Sequence, residues 1–119
     1  MKYIDNKNGT ITDTSTGLMW KQDPEEGTYT FDETLEIKSN FASHDDWRVP
    51  TIHELFGLVD ISRVDSAIDP IFNCDGSSFW SASVDTNYSD SAWYVHFYKG
   101  YVSYSNKSSS YAVRLVRNV

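Results

Sequence analysis

The most informative stretch of this sequence is Asp46-Trp47-Arg48-Val49-Pro50-Thr51-Ile52-His53-Glu54-Leu55. Pro50 biases Val49 toward an extended conformation, so we expect the residues just before Pro50 to be extended rather than helical. Thr51 and Glu54 then have the Thr-x-x-Glu spacing of a capping box, in which each side chain accepts a hydrogen bond from a free backbone amide. The stretch therefore predicts an extended segment that leads directly into a helix.

Two helices are predicted around such capping boxes. After the first box, apolar residues continue at the spacing of one helix face. They are Leu55, Leu58 and Val59. We expect this helix to end near Asp60. A second box, Thr30-Phe31-Asp32-Glu33, predicts an earlier helix that extends to about Phe41. Its inward-facing residues are expected to be Leu35, Ile37 and Phe41.

The remaining segments are typical of antiparallel strands. Thr10-Ile11-Thr12-Asp13 and Gly17-Leu18-Met19-Trp20 flank a polar turn, which predicts a hairpin whose Trp20 closes one end of the core. Further strand-like segments are Phe79-Trp80-Ser81, Ala92–Phe97 and Val113–Arg117. Aromatic residues make up 15% of the chain, which favours a sheet-rich core packed with large rings. With 119 residues and no linker or repeat, we expect one α+β domain over residues 1–119, with two helices packed on short antiparallel sheets.

The overall charge narrows the classes of partner. A formal net charge of −7 and a pI near 4.7 oppose nonspecific binding to nucleic acid or to an anionic membrane. No apolar run is long enough to insert into a membrane, and the N-terminus lacks the apolar stretch of a signal peptide. Two interpretations remain open: a cytoplasmic protein, or a domain excised from an exported protein.

Residues that could carry catalysis are sparse. The single cysteine, Cys74, forbids an intramolecular disulfide, and we expect a partly buried free thiol or an intermolecular pair. His53 and Glu54 are adjacent on a helix and diverge, and Glu54 already acts as a cap. His44-Asp45-Asp46 is either a metal corner or, as we favour, a solvated acidic loop. No nucleophile elbow, phosphate loop or two-histidine motif occurs, so we predict no catalysis.

The loop from Asp85 to Asp90 raises the question of calcium. Asp85, Asn87 and Asp90 offer oxygen ligands of the kind that a hard cation prefers. The same residue types are ordinary turn formers, and the loop lacks the Glu-Pro-Asn and Trp-Asn-Asp signatures of calcium-dependent sugar binding. We predict no obligatory cofactor and retain these three residues as the candidate metal ligands.

The segment from Trp93 to Asn106 predicts a second hairpin. If Lys99-Gly100 is a two-residue turn, Tyr98 pairs with Tyr101 and side chains alternate between two faces. The face expected to join the core holds Trp93, Val95, Phe97, Val102 and Tyr104. The opposite face is expected to hold Tyr94, His96, Tyr98, Tyr101 and Ser103.

This second face is the predicted binding surface. Tyrosine offers a flat apolar ring with a polar tip at little entropic cost, which suits both sugar stacking and protein contact. With Tyr88 from the neighbouring loop, the candidate ligand-binding residues are Tyr88, Tyr94, His96, Tyr98 and Tyr101. The alternative is that these rings pair across the strands or lie beneath a loop.

Four basic residues cluster late in the chain: Lys99, Lys107, Arg114 and Arg117. Arg114 alternates with apolar residues in a predicted strand and must be paired if it is buried. We therefore expect Arg114 to be structural rather than part of a polyanion site.

An ordered set of short motifs over nearly the whole chain resembles the bacterial domain family named after the C-terminal domain of the collagen-like adhesin Lcl. The motifs are Gly9-Thr10-Ile11-Thr12-Asp13, Thr16-Gly17-Leu18-Met19-Trp20, Asp46-Trp47-Arg48-Val49-Pro50-Thr51, Glu54-Leu55, Phe79-Trp80-Ser81-Ala82-Ser83, Ala92-Trp93-Tyr94-Val95-His96-Phe97, Gly100 and Val113-Arg114-Leu115-Val116-Arg117. Each motif is short, but their order and spacing make the set specific.

The resemblance implies a C-type-lectin-like fold, related in architecture to formylglycine-generating enzymes and to hypervariable receptor-binding proteins. It also implies an extracytoplasmic recognition or adhesion module for a carbohydrate or another surface ligand, since the namesake binds glycans or glycosaminoglycans. The sulfatase-modifying relatives need a pair of cysteines, which this chain lacks. Leu115 stands where many relatives carry a cysteine, and the acidic balance argues against a sulfated polyanion. The alternative function is a structural or oligomerisation domain whose outward tyrosines meet another protein chain, which includes a homo-oligomer.

Overall fold

Seven strands and two helices make up the fold in a computed structural model that describes residues 2–119. The strands are β1 (Tyr3–Asp5), β2 (Thr10–Asp13), β3 (Leu18–Lys21), β4 (Ser78–Val84), β5 (Ser91–His96), β6 (Tyr101–Asn106) and β7 (Val116–Asn118). The helices are α1 (Phe31–Thr34) and α2 (Ile52–Phe56). The strands form two antiparallel sheets with the orders β1-β2-β3-β7 and β4-β5-β6. The predicted α+β class is confirmed.

The first predicted hairpin is confirmed by β2 and β3. Ile11 lies opposite Trp20, and the intervening turn closes with a hydrogen bond from the Gly17 amide to the Asp13 carbonyl at 3.0 Å. Gly17 has a φ of +72°, in the left-handed region that glycine adopts without strain. Trp20 is buried in the apolar core, as expected for a ring that closes one end of it.

The stretch 46–55 joins the C-terminal strand to α2. Arg48 exchanges two backbone hydrogen bonds of 2.9 Å with Val116. Its guanidinium holds both carboxylate oxygens of Glu54, at 2.7 and 2.8 Å. Glu54 also accepts from the Thr51 amide at 2.9 Å, and its own amide donates to the Thr51 hydroxyl at 3.2 Å. The predicted capping box is therefore present, and one carboxylate connects the extended segment to the helix.

Both helices are shorter than predicted. The helix that begins after Thr30 ends at Thr34 rather than near Phe41, and Leu35, expected to face inward, is 65% exposed. In the residues that follow, positive φ angles occur only from Ala42 and Ser43 onward, beyond the predicted end of this helix. The helix after Thr51 ends at Phe56 rather than near Asp60. Its following residue is Gly57, a poor helix former. Leu58 is nevertheless buried and Val59 packs on the core.

Apolar cores lie on both faces of the second sheet. On β4, Phe79 belongs to one core and the adjacent Trp80 to the other, because neighbouring side chains of a strand point to opposite faces. The first core also includes Trp20 and Leu55, and the second includes Phe31. Thus β4 is covered on both sides at Phe79 and Trp80, whereas every residue of the outer strand β6 is exposed or half-buried.

The predicted register of the second hairpin is wrong. Tyr101 pairs with His96 rather than with Tyr98, so the loop has four residues, 97–100, instead of two. The reason is Phe97, which leaves the strand to be buried against Phe79 at 5.3 Å between ring centroids. Its backbone follows it inward, with the Phe97 amide donating to the Ser77 carbonyl and its carbonyl accepting from Ala67.

The predicted core face of this hairpin is only partly correct. Val95 and Phe97 are fully buried, but Val102 and Tyr104 are exposed, because the sheet ends at β6 and no element covers them in the described chain. Conversely, Tyr94 is predicted on the outward face, but its ring packs against the second core. Both faces of the hairpin therefore change from buried to exposed toward β6.

Arg114 is an internal residue, as predicted, with no exposed surface. Its guanidinium donates to three backbone carbonyl groups, those of Lys21, Gln22 and Asn73. It lies 5.3 Å from the ring of Phe72 and 5.5 Å from that of Phe79. Burial lowers the pKa of Arg114 to about 10, so the side chain remains charged at neutral pH. The predicted strand 113–117 is displaced, because the carbonyls of Val113 and Leu115 accept from Glu25 and Lys21, and β7 begins only at Val116.

Candidate ligand-binding face

The side of the β5–β6 hairpin that carries His96 and Tyr101 presents an open aromatic stack. We call it the tyrosine face and define it by Tyr94, His96, Tyr98, Tyr101 and Ser103. The rings of His96 and Tyr101, which pair across the strands, lie 4.8 Å apart at an angle of 30°. Tyr101 is 44% exposed. The cross-strand pair is therefore stacked by the sheet itself while its outer ring stays open to solvent.

Tyr98 extends this stack from the hairpin loop. Its ring lies 6.3 Å from that of His96 and is 46% exposed. A hydrogen bond with Asp65 and the negative charge of that carboxylate both raise the pKa of the Tyr98 hydroxyl. A Cβ on Gly76 would come within 3.1 Å of the Tyr98 ring. The absence of a side chain at position 76 thus lets the ring lie against the loop.

Tyr94 forms the inner end of the tyrosine face. Its ring contacts Tyr111 at 4.7 Å and meets Trp80 edge-on at 6.4 Å. Burial raises the pKa of Tyr94, and the neighbouring Ser103 side chain partly opposes this shift. Tyr111 in turn donates to the Ser105 hydroxyl at 3.1 Å. A row of hydroxyl groups therefore borders the exposed stack.

Tyr88, the fifth sequence candidate, lies on the other side of the sheet. It stacks on Tyr104 with centroids 6.0 Å apart and an angle of 11°, and Tyr104 meets Trp93 edge-on at 5.5 Å. We call this side the reverse face and define it by Tyr88, Trp93, Val102 and Tyr104. The structure thus brings four of the five candidates together and separates Tyr88 from them.

Sequence reasoning missed Tyr111, whose ring packs against Tyr94 at the inner end of the tyrosine face. Its place is fixed by two backbone hydrogen bonds with Tyr29, of 2.8 and 3.0 Å. These residues are far apart in sequence and form an isolated bridge outside the named strands. No local pattern announces such a contact. The exposure of Tyr104 had a weak signal, since the polar residues Ser103, Ser105 and Asn106 surround it in the sequence.

The candidate calcium ligands lie in the loop between β4 and β5. The Asp85 carboxylate is buried and accepts a hydrogen bond from the Asn87 amide at 2.9 Å. Asp90 lies at the other end, where its carbonyl accepts from the Lys107 amide at 2.8 Å. Among residues 2–119, no group of three or more His, Cys, Asp and Glu side chains is placed to hold a metal ion.

The other acidic residues singled out from the sequence are engaged by arginines. Hydrogen bonds from Arg48 lower the pKa of Glu54, against the opposing effect of burial. Asp46 accepts two hydrogen bonds from Arg117, at 2.6 and 3.1 Å, which likewise lower its pKa. Cys74 is a half-buried free thiol. The Asp46 carboxylate therefore fastens the start of the stretch to β7, and the Glu54 carboxylate ties the extended segment to α2.

Comparison with protein families gives a match over most of the chain. A family model, the Lcl C-terminal domain, matches residues 9–117. No curated protein matches the chain. In the described residues 2–119, neither helix is long and apolar enough to cross a membrane.

Proposed function

The chain belongs to the Lcl C-terminal domain family, and we propose that it is a noncatalytic recognition module for a carbohydrate or another surface ligand. The family resemblance also supports a C-type-lectin-like fold and a location outside the cytoplasm. The observation that carries the binding role is the open stack of Tyr101 on His96, with the exposed ring of Tyr98 beside it.

The stack has the features that sugar recognition requires. A pyranose ring presents a face of C–H groups to an aromatic ring and directs its hydroxyl groups outward. Tyr101 and Tyr98 offer such rings with a preset geometry, since His96 supports both. The hydroxyl groups of Tyr94 and Ser103 lie next to the stack and supply polar partners. Apolar contact with a few placed polar groups is the usual composition of a ligand site.

Charge favours some ligands over others. With a net charge of −7, the chain repels a sulfated polymer at long range. A neutral glycan, or a protein surface without strong negative charge, meets no such barrier. We therefore place neutral oligosaccharides ahead of glycosaminoglycans as ligands for the tyrosine face.

A second candidate function is supported by the reverse face. Tyr104 is 49% exposed and Val102 and Tyr88 are exposed beside it, so an apolar surface remains open on that side as well. Such surfaces are often sites of protein contact. The alternative is therefore a structural or oligomerisation domain that uses this surface.

The chain offers a matched pair of variants to test the binding role. Tyr101→Ala and Tyr104→Ala each remove one exposed tyrosine from β6, but from opposite faces. A neutral glycan array identifies the ligand, and titration of the soluble oligosaccharide then gives its dissociation constant. A stacked ring is worth about 1 kcal/mol, so Tyr101→Ala should weaken binding about fivefold and Tyr98→Ala/Tyr101→Ala by more than tenfold.

Tyr104→Ala should leave the dissociation constant of the soluble ligand within about twofold, and all variants should melt almost as the parent does. Full binding by the folded double variant would refute the tyrosine face as the site. Equal losses from Tyr101→Ala and Tyr104→Ala would also refute it, because the two side chains cannot touch one small ligand from opposite faces of a sheet.

A further inference from the structure

Strand β6 leaves one flank of the second sheet open. It is the outer strand in the order β4-β5-β6 and pairs only with β5. Within residues 2–119, one backbone group of β6 bonds outside the sheet, the Asn106 carbonyl, which accepts from Ser109 at 2.9 Å. The unpaired N–H and C=O groups of such an edge form a template for another extended strand.

This edge lacks the usual protection. Folded proteins guard exposed edges with charged residues, prolines or bulges. The six residues of β6, Tyr101-Val102-Ser103-Tyr104-Ser105-Asn106, include neither a charge nor a proline. Its pairing with β5 also runs without a register shift from Tyr101 to Asn106. The edge is therefore uncharged, free of bulges against β5 and long enough to accept a partner strand.

The alternation of the backbone identifies the outward groups. The Phe97 amide donates toward β4, to Ser77, and successive residues of a strand direct their backbone groups to opposite flanks. His96 and its partner Tyr101 therefore bond to each other, and so do Tyr94 and Ser103 in the same pattern. The residues between them, Val102 and Tyr104, direct their N–H and C=O groups to the open side.

We infer that β6 pairs antiparallel with β6 of a second copy of this chain, with Ser103 opposite the Ser103 of the other copy. In this register Val102 lies opposite Tyr104 of the other copy, so each outward backbone group meets an outward backbone group. Val102 and Tyr104 are also exposed apolar residues on the reverse face. The pairing forms two Val102–Tyr104 contacts between the copies, which cover both residues in each chain. The pairing has the two-fold symmetry that closes a dimer. We take a second copy as the partner because this pairing also buries the exposed Val102 and Tyr104 of both chains against each other.

The pairing gives the dimer a distinctive response to salt. Each copy carries −7, and Lys99 of one copy faces Lys107 of the other just beyond the paired strands. Both repulsions weaken as salt screens them, while the apolar and backbone contacts remain. The dimer should therefore become tighter as the salt concentration rises, unlike an interface held by ion pairs.

Pairing through β6 also bears on recognition, a consequence that rests on the proposed function. The two tyrosine faces would lie on the same side of one continuous six-stranded sheet. Tyr101 lies opposite Ser105 of the other copy, so the two Tyr101 rings are offset by four residues, about 14 Å along the strands. Two sites so close together favour a ligand with repeating units.

A cysteine scan tests the register directly. In a Cys74→Ser background, Ser103→Cys places two cysteines in a pair that lacks backbone hydrogen bonds, with Cα atoms about 4.5 Å apart. That distance lies within the range of a disulfide, so mild oxidation should yield a covalent dimer. The matched control is Asn106→Cys, whose two copies would be six residues out of register. It should remain monomeric under the same oxidation.

Light scattering measures the dimer without a cross-link. The parent should shift from 13.6 kDa toward twice that mass as its concentration rises, and further at high salt. Val102→Lys adds a charge at the edge and should abolish the dimer, whereas Val84→Lys changes an exposed valine of β4 and should not. Circular dichroism checks that each variant is folded.

A parent that stays monomeric at every concentration and salt level would refute the pairing. Cross-linking through Asn106→Cys but not through Ser103→Cys would refute it too, as would a folded Val102→Lys variant that still dimerises. The proposed function is tested separately, because monomeric Val102→Lys keeps the tyrosine face and should bind with unchanged affinity a short oligosaccharide that reaches only one such face.

Discussion

The two helices begin in the same way and continue differently. Thr30 caps α1 and Thr51 caps α2, and in both a glutamate three residues later completes the capping box. The amide-to-hydroxyl bonds are nearly equal, 3.3 Å in α1 and 3.2 Å in α2. Beyond the first turn they diverge: Leu55 in α2 is completely buried, whereas Leu35 at the end of α1 is 65% exposed.

The difference shows that a cap specifies where a helix starts but not what the residues beyond its first turn contact. The start of α2 is docked on β4, where the Ser83 hydroxyl accepts from the Ile52 amide at 3.0 Å and Ala82 donates to Pro50 at 2.7 Å. The apolar face of α2 then enters the core. A helix as short as either of these depends on such tertiary packing, since propensity alone does not sustain it. In α1, Phe31 and Thr34 are buried, and the chain leaves the helix before the exposed Leu35.

The largest expected effect separates the two leucines. Leu55→Ala removes a fully buried side chain and leaves a cavity, so we expect the free energy of unfolding to fall by about 2–5 kcal/mol. Leu35→Ala deletes the same atoms at an exposed position and should change it by less than about 0.5 kcal/mol. Urea titrations of both variants measure these values. Similar losses for the two would mean that α1 buries a face that the structure shows to be open.

A smaller effect concerns the glutamates and depends on pH. Hydrogen bonds from Arg48 hold the pKa of Glu54 below its ordinary value of 4.5. Because the folded pKa is the lower one, Glu54 stabilises the fold fully above the ordinary value and loses this contribution as the pH falls through the folded pKa. Glu54→Gln should cost about 1.5 kcal/mol at neutral pH, the low end for charged hydrogen bonds since the pair is partly exposed.

Glu33→Gln is the matched control for this measurement. Glu33 accepts from the Thr30 amide at 2.8 Å but forms no ion pair within residues 2–119. The difference between parent and Glu54→Gln, followed by urea titration from neutral to acid pH, should shrink as the pH drops. A difference that stays constant across the acid range would show that Arg48 contributes nothing through the charge of Glu54.

The same distinction explains which parts of the fold follow from the sequence. Helix starts and the first hairpin were predicted correctly because each depends on residues that are close in sequence. The structural role of Arg114 was expected because a charge that is buried needs hydrogen-bond partners, which it finds in three backbone carbonyls. Helix ends and the register of the second hairpin were wrong. These depend on where Phe97 and the segment after Leu35 meet the rest of the chain, which no local pattern records.

The candidate site shows the same division. Alternation along β5 correctly grouped Tyr94 with His96, since successive side chains of any strand point to opposite faces. It could not reveal that Tyr94 would be half-buried by Tyr111 or that Tyr88 would stack on Tyr104. Both contacts come from loops whose paths are set by long-range packing. Whether the tyrosine face binds a ligand stays a prediction.

The smallest effect concerns the caps themselves and tests whether the two helix starts are equivalent. Loss of a threonine cap costs about 1 kcal/mol, because one amide of the first turn loses its partner. Since the two capping boxes share the same geometry, Thr30→Ala and Thr51→Ala should each lower the free energy of unfolding by about this amount and agree within about 0.5 kcal/mol. The exposed turn residue Thr16 provides the control, and Thr16→Ala should have little effect. Neither cap touches the tyrosine face, so ligand affinity should be unchanged in both variants. If Thr51→Ala kept its stability but lost its ligand, the start of α2 would belong to the binding site. If it cost several times more than Thr30→Ala, the cap would be acting through Arg48 and Glu54 rather than through its own hydrogen bond.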